Sequence, residues 1–204
     1  FDANGVDLAV GCTYKYGNSG PGSPAWLYVS KRVQNELQVP IQGWFGNEDQ
    51  FGMGPDYVKA AGIRGFQIAS PSIIGIRGVQ TAFSMIEEAG IAAIAHKAAV
   101  GTQMMIDLYD AWLADLGYTL LTSRDPNERG GHISIGHPQA AQICVALRKF
   151  VNVIPDYRTP NAIRLAIAPL PTSYVEIWDG FERLRDLTIS KKYEEITGSD
   201  SRVT

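Results

Sequence analysis

Apolar residues recur along this chain with two periods, and the places where the period changes mark its organisation. Val6 to Thr13 is a run of small and apolar residues leading into Tyr14-Lys15-Tyr16 and the turn-rich Gly17-Asn18-Ser19-Gly20-Pro21-Gly22-Ser23-Pro24. The pattern predicts a buried strand ending in a lysine, then a glycine-rich turn. Ala25 to Ser30 predicts the neighbouring strand. From Pro40 to Ala61 neither period holds, and Gly43, Gly46, Gly52 and Gly54 are interleaved with Trp44, Phe45, Phe51 and Tyr57. A long aromatic and glycine-rich loop of this kind is more often functional than decorative.

The pattern turns helical after Ile68. Val79, Ala82, Phe83, Ile86 and Ala89 repeat at helical spacing until Gly90 breaks the run. A longer helix follows, with Ile91, Ile94, Ala95, Ala98, Met105, Leu108, Trp112 and Leu116 on one face and Gly117 as its stop. That stripe of methionine and aromatic residues reads as core packing. Beyond Gly117 the texture becomes short strands and helices. Tyr118 to Thr122 and His132 to Gly136 predict strands on either side of a polar loop, and Pro138 to Phe150 predicts a helix. Ala162 to Ala168 alternates strictly, and Ser173-x-x-Glu176 is a capping box opening a last helix expected to bury Trp178, Phe181 and Leu184. Residues 198–204 are polar and expected to fray. A division near residue 117 separates a strand-and-loop part from a compact α+β part.

Composition narrows the function classes. With 204 residues, 45% of them hydrophobic and 19% charged, the chain can bury a core without disulfide or metal staples. A net charge of −3 with no block of like charges offers no footprint for nucleic acid or an anionic membrane. No uninterrupted apolar stretch approaches the ~18 residues a bilayer span needs. Cys12 and Cys144 form neither a disulfide framework nor a CxxC site, which fits a cytoplasmic protein with reduced thiols.

Two residues stand out as candidates for chemistry. Lys15, between two tyrosines at the end of an apolar strand, is placed to be desolvated, and a neutral amine there is a nucleophile toward carbonyls; otherwise it caps a strand and snorkels to water. Arg164 shares its strand face with alanines, which leaves room for a ligand carboxylate gripped by the guanidinium fork; the alternative is a structural ion pair. His132 and His137 are five residues apart around a strand and have no nearby residues to complete a metal site. His96 lies on a helix. No P-loop, GxGxxG or GxSxG motif occurs.

Taken in order, Gly11-Cys12-Thr13-Tyr14-Lys15-Tyr16, Gly20-Pro21-Gly22, Gly43-Trp44-Phe45-Gly46, Gly62-Ile63-Arg64, Asn161-Ala162-Ile163-Arg164-Leu165-Ala166 and Ala168-Pro169-Leu170 resemble kynureninase. The resemblance covers essentially the whole chain, and Tyr-Lys-Tyr together with Gly-Trp-Phe-Gly is specific to this family within the pyridoxal 5'-phosphate enzymes of the aspartate aminotransferase fold (fold type I). It implies an α/β architecture. Residues 1–90 would be the C-terminal part of the large cofactor-binding domain, 91–117 an interdomain helix and 118–204 the small α+β domain. It implies that Lys15 forms the Schiff base with the cofactor and, once freed, moves the proton from the substrate α-carbon. Tyr14 would donate to the cofactor phosphate, and Trp44 would reach that phosphate across a homodimer interface. Ser70 would contact cofactor or substrate, and Arg164 would hold the substrate α-carboxylate. The implied reaction is hydrolysis of L-kynurenine, or of its 3-hydroxy derivative, to an anthranilate and L-alanine, a step in tryptophan catabolism and NAD biosynthesis.

Several positions depart from the family. Asn47 stands where a His associated with the substrate pocket is usual, Gly17 and Ser19 replace Leu and Gly, and Pro171 replaces an aromatic. Ser70 offers one hydroxyl where Asn would offer an amide. In this fold the aspartate that pairs with the pyridine nitrogen and the aromatic that stacks on the ring lie upstream of the lysine strand, and the chain begins at Phe1. The expectation is therefore a C-terminal portion that needs an N-terminal half and does not turn over alone. A kynureninase-like enzyme with another substrate, and a non-catalytic interaction module, are the alternatives.

Overall fold

A computed structural model describes residues 1–197; the expected fraying of 198–204 lies outside the described residues. The chain forms two compact units, Phe1–Glu88 and Ala89–Thr204, so the division expected near residue 117 is corrected: it falls after Glu88, because Met105, Leu108 and Leu113 pack into the core of the second unit.

In the first unit, β1 (Leu8–Gly11) and β2 (Trp26–Val29) pair antiparallel, with Gly11 opposite Trp26 and Leu8 opposite Val29. Gly11 is small for a reason: a β-carbon there would lie 2.5 Å from the Trp26 indole. Phe1 joins this aromatic side, with ring centroids 5.6 Å from Trp26 and 4.8 Å from Tyr28. The expected buried strand is corrected here. Leu8 and Val10 are 53% and 75% exposed, because β1 has only β2 as a hydrogen-bonded neighbour among the described residues. The predicted loop between 40 and 61 contains one short 3-10 turn, Trp44–Gly46, and an isolated bridge between Asn47 and Lys59. The unit closes with α1 (Ile73–Ala89), which begins six residues before the first periodic position, Val79. Ala82 faces inward on α1, whereas Phe83 is 44% exposed.

The second unit holds the larger core. α2 (Ile91–Trp112) runs into a 3-10 turn, Ala114–Leu116, that ends at Gly117 in the left-handed conformation (φ 87°). A four-stranded antiparallel sheet follows, with strands β3 (Thr119–Leu120), β4 (His132–Gly136), β5 (Asp156–Arg158) and β6 (Ala162–Ala166) in the order β3-β4-β6-β5. α3 (Ala140–Val151) starts two residues after Pro138, and α4 (Tyr174–Ile189) opens with the Ser173/Glu176 capping box in place. Strand β5 has no counterpart in the sequence prediction, since three residues are too few to display a period.

Alternation builds the core. Ile133, Ile135 and Ile163 are fully buried, and they cluster with Met105, Leu108 and Leu113 around α2, Ile143, Cys144 and Leu147 of α3, and Phe181, Leu184 and Leu187 of α4. Burial pushes the Cys144 thiol up to about 12, so it is a packed thiol rather than a reactive one. Gly101 on α2 allows close approach, as a β-carbon there would sit 2.6 Å from Ile167 Cδ1. Trp178 is a correction: it is 46% exposed and stands edge-on to Trp112 at 4.7 Å, while Ile177 takes the inward position.

His137 fastens the corner between β4 and α3. Its backbone N–H donates to the Asn161 carbonyl at 2.9 Å, and its Nδ1 accepts from the Gln139 N–H at 3.1 Å. The ring is 4.6 Å from that of Tyr118 and 6% exposed. Burial holds its pKa below the ordinary histidine value, an effect partly offset by a hydrogen bond to the Leu116 backbone. The unfolded chain therefore binds this proton more readily than the folded one. The contribution is fully present above the unfolded pKa of about 6.5 and is lost as pH falls toward the lower folded value. Urea titrations should show stability falling below about pH 6.5, and this component of the slope should vanish in His137→Gln. In the core, Phe181→Ala should cost about 3–5 kcal/mol, and Trp178→Ala less than half of that.

Candidate active site

The turn that carries Lys15 is closed from the inside. Thr13 is 4% exposed and its Oγ1 donates to the Pro24 carbonyl at 2.7 Å. The Ser19 N–H donates to the Thr13 carbonyl at 3.3 Å, and the Asn18 N–H to the Lys15 carbonyl at 3.1 Å, with Asn18 in the left-handed conformation (φ 54°). These bonds gather the backbone inward and turn residues 14–16 outward. Tyr14 and Tyr16 are 48% and 49% exposed, and Lys15 Nζ lies 5.7 Å from the centre of the Tyr14 ring. The desolvated lysine expected at a strand end is thus corrected. Lys15 is exposed, four residues beyond β1, and has no ion-pair partner among the described residues. At Gly17 a β-carbon would lie 2.5 Å from the Thr13 carbonyl oxygen and 2.8 Å from the Phe83 ring, so this turn has no room for a leucine.

α1 supports the same turn. A β-carbon at Gly78 would be 2.9 Å from the Ser19 carbonyl oxygen, and one at Gly75 would be 2.9 Å from Pro24 Cδ. Two glycines on one helix face thus let the turn lie directly on α1. Ser70 is exposed and stands three residues before α1 begins.

The segment leading to Ser70 also anchors the Trp44 loop. A β-carbon at Gly43 would fall 2.0 Å from the Ile68 carbonyl oxygen, and one at Gly46 would fall 2.8 Å from that of Gln67. The Ala60 N–H donates to the Gly46 carbonyl at 2.9 Å. Trp44 is 46% exposed and meets Phe45 and Phe51 edge-on at 4.7 and 5.9 Å. Asn47 is committed to the loop: its side-chain oxygen accepts from the Val58 N–H at 3.1 Å, and its carbonyl accepts from Arg64 Nη2 at 3.1 Å. Tyr14, Lys15, Trp44 and Ser70 therefore all belong to the first unit, and residues 62–78 link the elements that carry them.

Arg164 belongs to the second unit. It is opposite Ser134 on β4 and Asp156 on β5, and its neighbours along the same face are Ala162 and Ala166. The face of small residues expected around it is present, and so is the ion pair that was the alternative reading: Arg164 Nη2 donates to Asp156 Oδ2. Asp156 and Arg158 escaped the sequence reading because β5 did. The alternation of charge in Asp156-Tyr157-Arg158, ahead of Thr159-Pro160, was the available signal. Among the described residues no cluster of His, Cys, Asp or Glu could hold a metal ion, and no helix is long and apolar enough to cross a membrane.

Solved structures with the same fold define the class. A cystine C–S lyase in complex with cysteine persulfide superposes with a TM-score of 0.74 at 17% identity, covering 91% of this chain and 48% of that one. A cysteine desulfurase from Thermococcus onnurineus NA1 gives 0.71 at 16% identity, with the same shares covered. The fold is that of this group, which includes a lyase variant with glycine linked to its PLP cofactor and an alanine–glyoxylate aminotransferase from Nostoc sp.. Within it, residues 94–184 match the kynureninase C-terminal domain, so the chain is a relative of the kynureninases. It is 34% identical to kynureninase of Pseudomonas fluorescens over 191 residues, and 36% identical to that of Burkholderia mallei over 188. Those alignments take in 94% and 91% of this chain but 46% and 45% of the relatives, so the chain spans about half the length of the curated relatives it matches.

The contact between Gly43 and Ile68 gives a test of the Trp44 loop. Gly43→Ala places a methyl on the Ile68 carbonyl and should cost about 1–3 kcal/mol, with trypsin cutting at Lys59 and Arg64 several-fold faster. Gly54→Ala, where the nearest atom is 3.9 Å away, should leave both unchanged.

Proposed function

We propose that this chain is the C-terminal part of a kynureninase that hydrolyses the Cβ–Cγ bond of L-kynurenine or 3-hydroxykynurenine. In this reading it acts as a homodimer in the cytoplasm, in tryptophan catabolism leading toward NAD. One observation carries the reading: an uncommitted Lys15 amine stands between two exposed phenols on a braced turn, in a chain whose curated relatives are kynureninases. These residues fit pyridoxal 5'-phosphate, since a carbonyl partner needs an accessible amine and a phosphate needs nearby donors. Tyr14, Lys15, Trp44 and Ser70 would hold the cofactor, and the remaining part of the large domain would complete its site. Residues 1–90 would contribute the end of that domain, 91–117 an interdomain helix and 118–204 the small domain. When bound, the cofactor supplies an electron sink for the bond-breaking step.

This chain's own residues would divide the work as follows. Arg164 binds the substrate α-carboxylate. The Lys15 amine accepts the α-proton and returns it, a role open to an amine with no ion-pair partner among the described residues. The Tyr14 hydroxyl donates to the phosphate, while Trp44 shields it from water across the dimer interface. The half-exposed indole of Trp44 leaves it available for such a contact.

Asn47 favours a second reading in which the substrate differs. Its side-chain oxygen is engaged in closing the 40–61 loop, at the position where the family usually has a histidine associated with the substrate pocket. Activity of the complete enzyme on neither kynurenine nor 3-hydroxykynurenine would favour that reading.

In the complete enzyme loaded with pyridoxal phosphate, Lys15→Ala should lower kcat by at least about a thousandfold. Arg164→Lys should raise KM about tenfold or more, because a point charge replaces a fork. Wild-type-like turnover by Lys15→Ala would overturn the proposal.

A further inference from the structure

Arg164 is held in place before any ligand arrives. Asp156 lies directly opposite Arg164 in the β5–β6 register, and Arg158 lies opposite Ala162, so all three charged side chains share one face of the sheet. Arg164 donates to Asp156 Oδ2 through Nη2. Arg158 donates to the same oxygen through Nε at 2.9 Å, and its Nη2 lies 2.7 Å away. One carboxylate oxygen thus gathers two guanidinium groups. The Arg164 and Asp156 side chains are 35% and 29% exposed, whereas Arg158 is 57% exposed and forms the outer end of the chain of contacts.

We propose that Asp156, clamped by Arg158, is a positioning residue that presents Arg164 to the α-carboxylate of an amino-acid ligand. The inference rests on the role proposed for Arg164 and deepens it. Asp156 engages Arg164 through a single nitrogen of the fork, Nη2, on a sheet face whose neighbouring positions, Ser134, Ala162 and Ala166, carry small residues. Holding one edge removes the rotamer freedom that a long side chain would otherwise lose on binding. Asp156 also separates two like charges, which would repel Arg164 away from this position if the carboxylate were absent.

The test compares ligands that differ only at the carboxylate. In the complete, pyridoxal-phosphate-loaded enzyme, calorimetric titration with L-alanine and with L-alaninamide gives the preference for the carboxylate as a ratio of dissociation constants. Asp156→Asn should lower that ratio about tenfold, the size expected for one charge-assisted contact, and should raise KM for kynurenine with kcat changed far less. Asp156→Glu should restore much of the ratio, and Arg158→Ala should lower it in the same direction by a smaller factor. A ratio unchanged in Asp156→Asn, or both ligands weakened alike, overturns the proposal. If Asp156→Asn does not fold, as read by circular dichroism, Arg158→Ala decides it alone. If the wild type cleaves neither kynurenine nor 3-hydroxykynurenine, the functional reading fails while the alanine-to-alaninamide ratio still judges Asp156.

Discussion

The alternation of β6 is the constraint on which the second unit depends. Ile163 must go to the core, where it is fully buried against Ile135, and this obliges Arg164 to face the other way. A charged residue can follow a buried isoleucine only because consecutive side chains of a strand point to opposite faces. A slip of one residue would drive the guanidinium into the aliphatic core and is excluded by its desolvation cost. The same register brings Asp156 opposite Arg164, so one period sets both the packing of the domain and the chemistry of its outer face.

The first unit solves a different problem with less core. Its lysine is presented by a turn whose inside is filled by backbone and by the Thr13 hydroxyl, and whose Ser19 and Pro24 rest on glycines of α1. Hydrogen bonds and close backbone contact replace hydrophobic burial as the source of rigidity, and the two tyrosines are left at the surface beside the amine. The Trp44 loop follows the same logic, since Gly43 and Gly46 rest on the carbonyls of Ile68 and Gln67.

Much of the second unit was legible in the sequence because its signals are periodic. The alternation around Arg164 and the capping box at Ser173 follow from residue spacing and have their expected counterparts, while the α2 stripe holds at Ile94, Ala98, Met105 and Leu108 but not at Ile91 and Ala95, which are exposed. Strand β5 was not legible, as three residues between prolines carry too little pattern. The exposure of β1 was not legible either, because an apolar run does not say whether a partner covers it. Trp178 shows the limit of a helical wheel: Ile177 and Phe181 take the core positions and leave the larger ring outside against Trp112. At the candidate site the residue types marked Lys15 and Arg164. The commitment of Asn47 to Val58 and the clamp of Asp156 on Arg164 depend on pairings between distant parts of the chain, which spacing does not encode.

The central claim is that the Lys15 turn is where this protein holds pyridoxal phosphate. Borohydride reduction of the loaded enzyme fixes the cofactor to whichever amine carries it, and mass spectrometry of the tryptic peptides then locates the added pyridoxyl group. The account predicts a single modified peptide containing Lys15. A pyridoxyl group on another lysine, such as Lys59 or Lys97, or none within these residues, would contradict it.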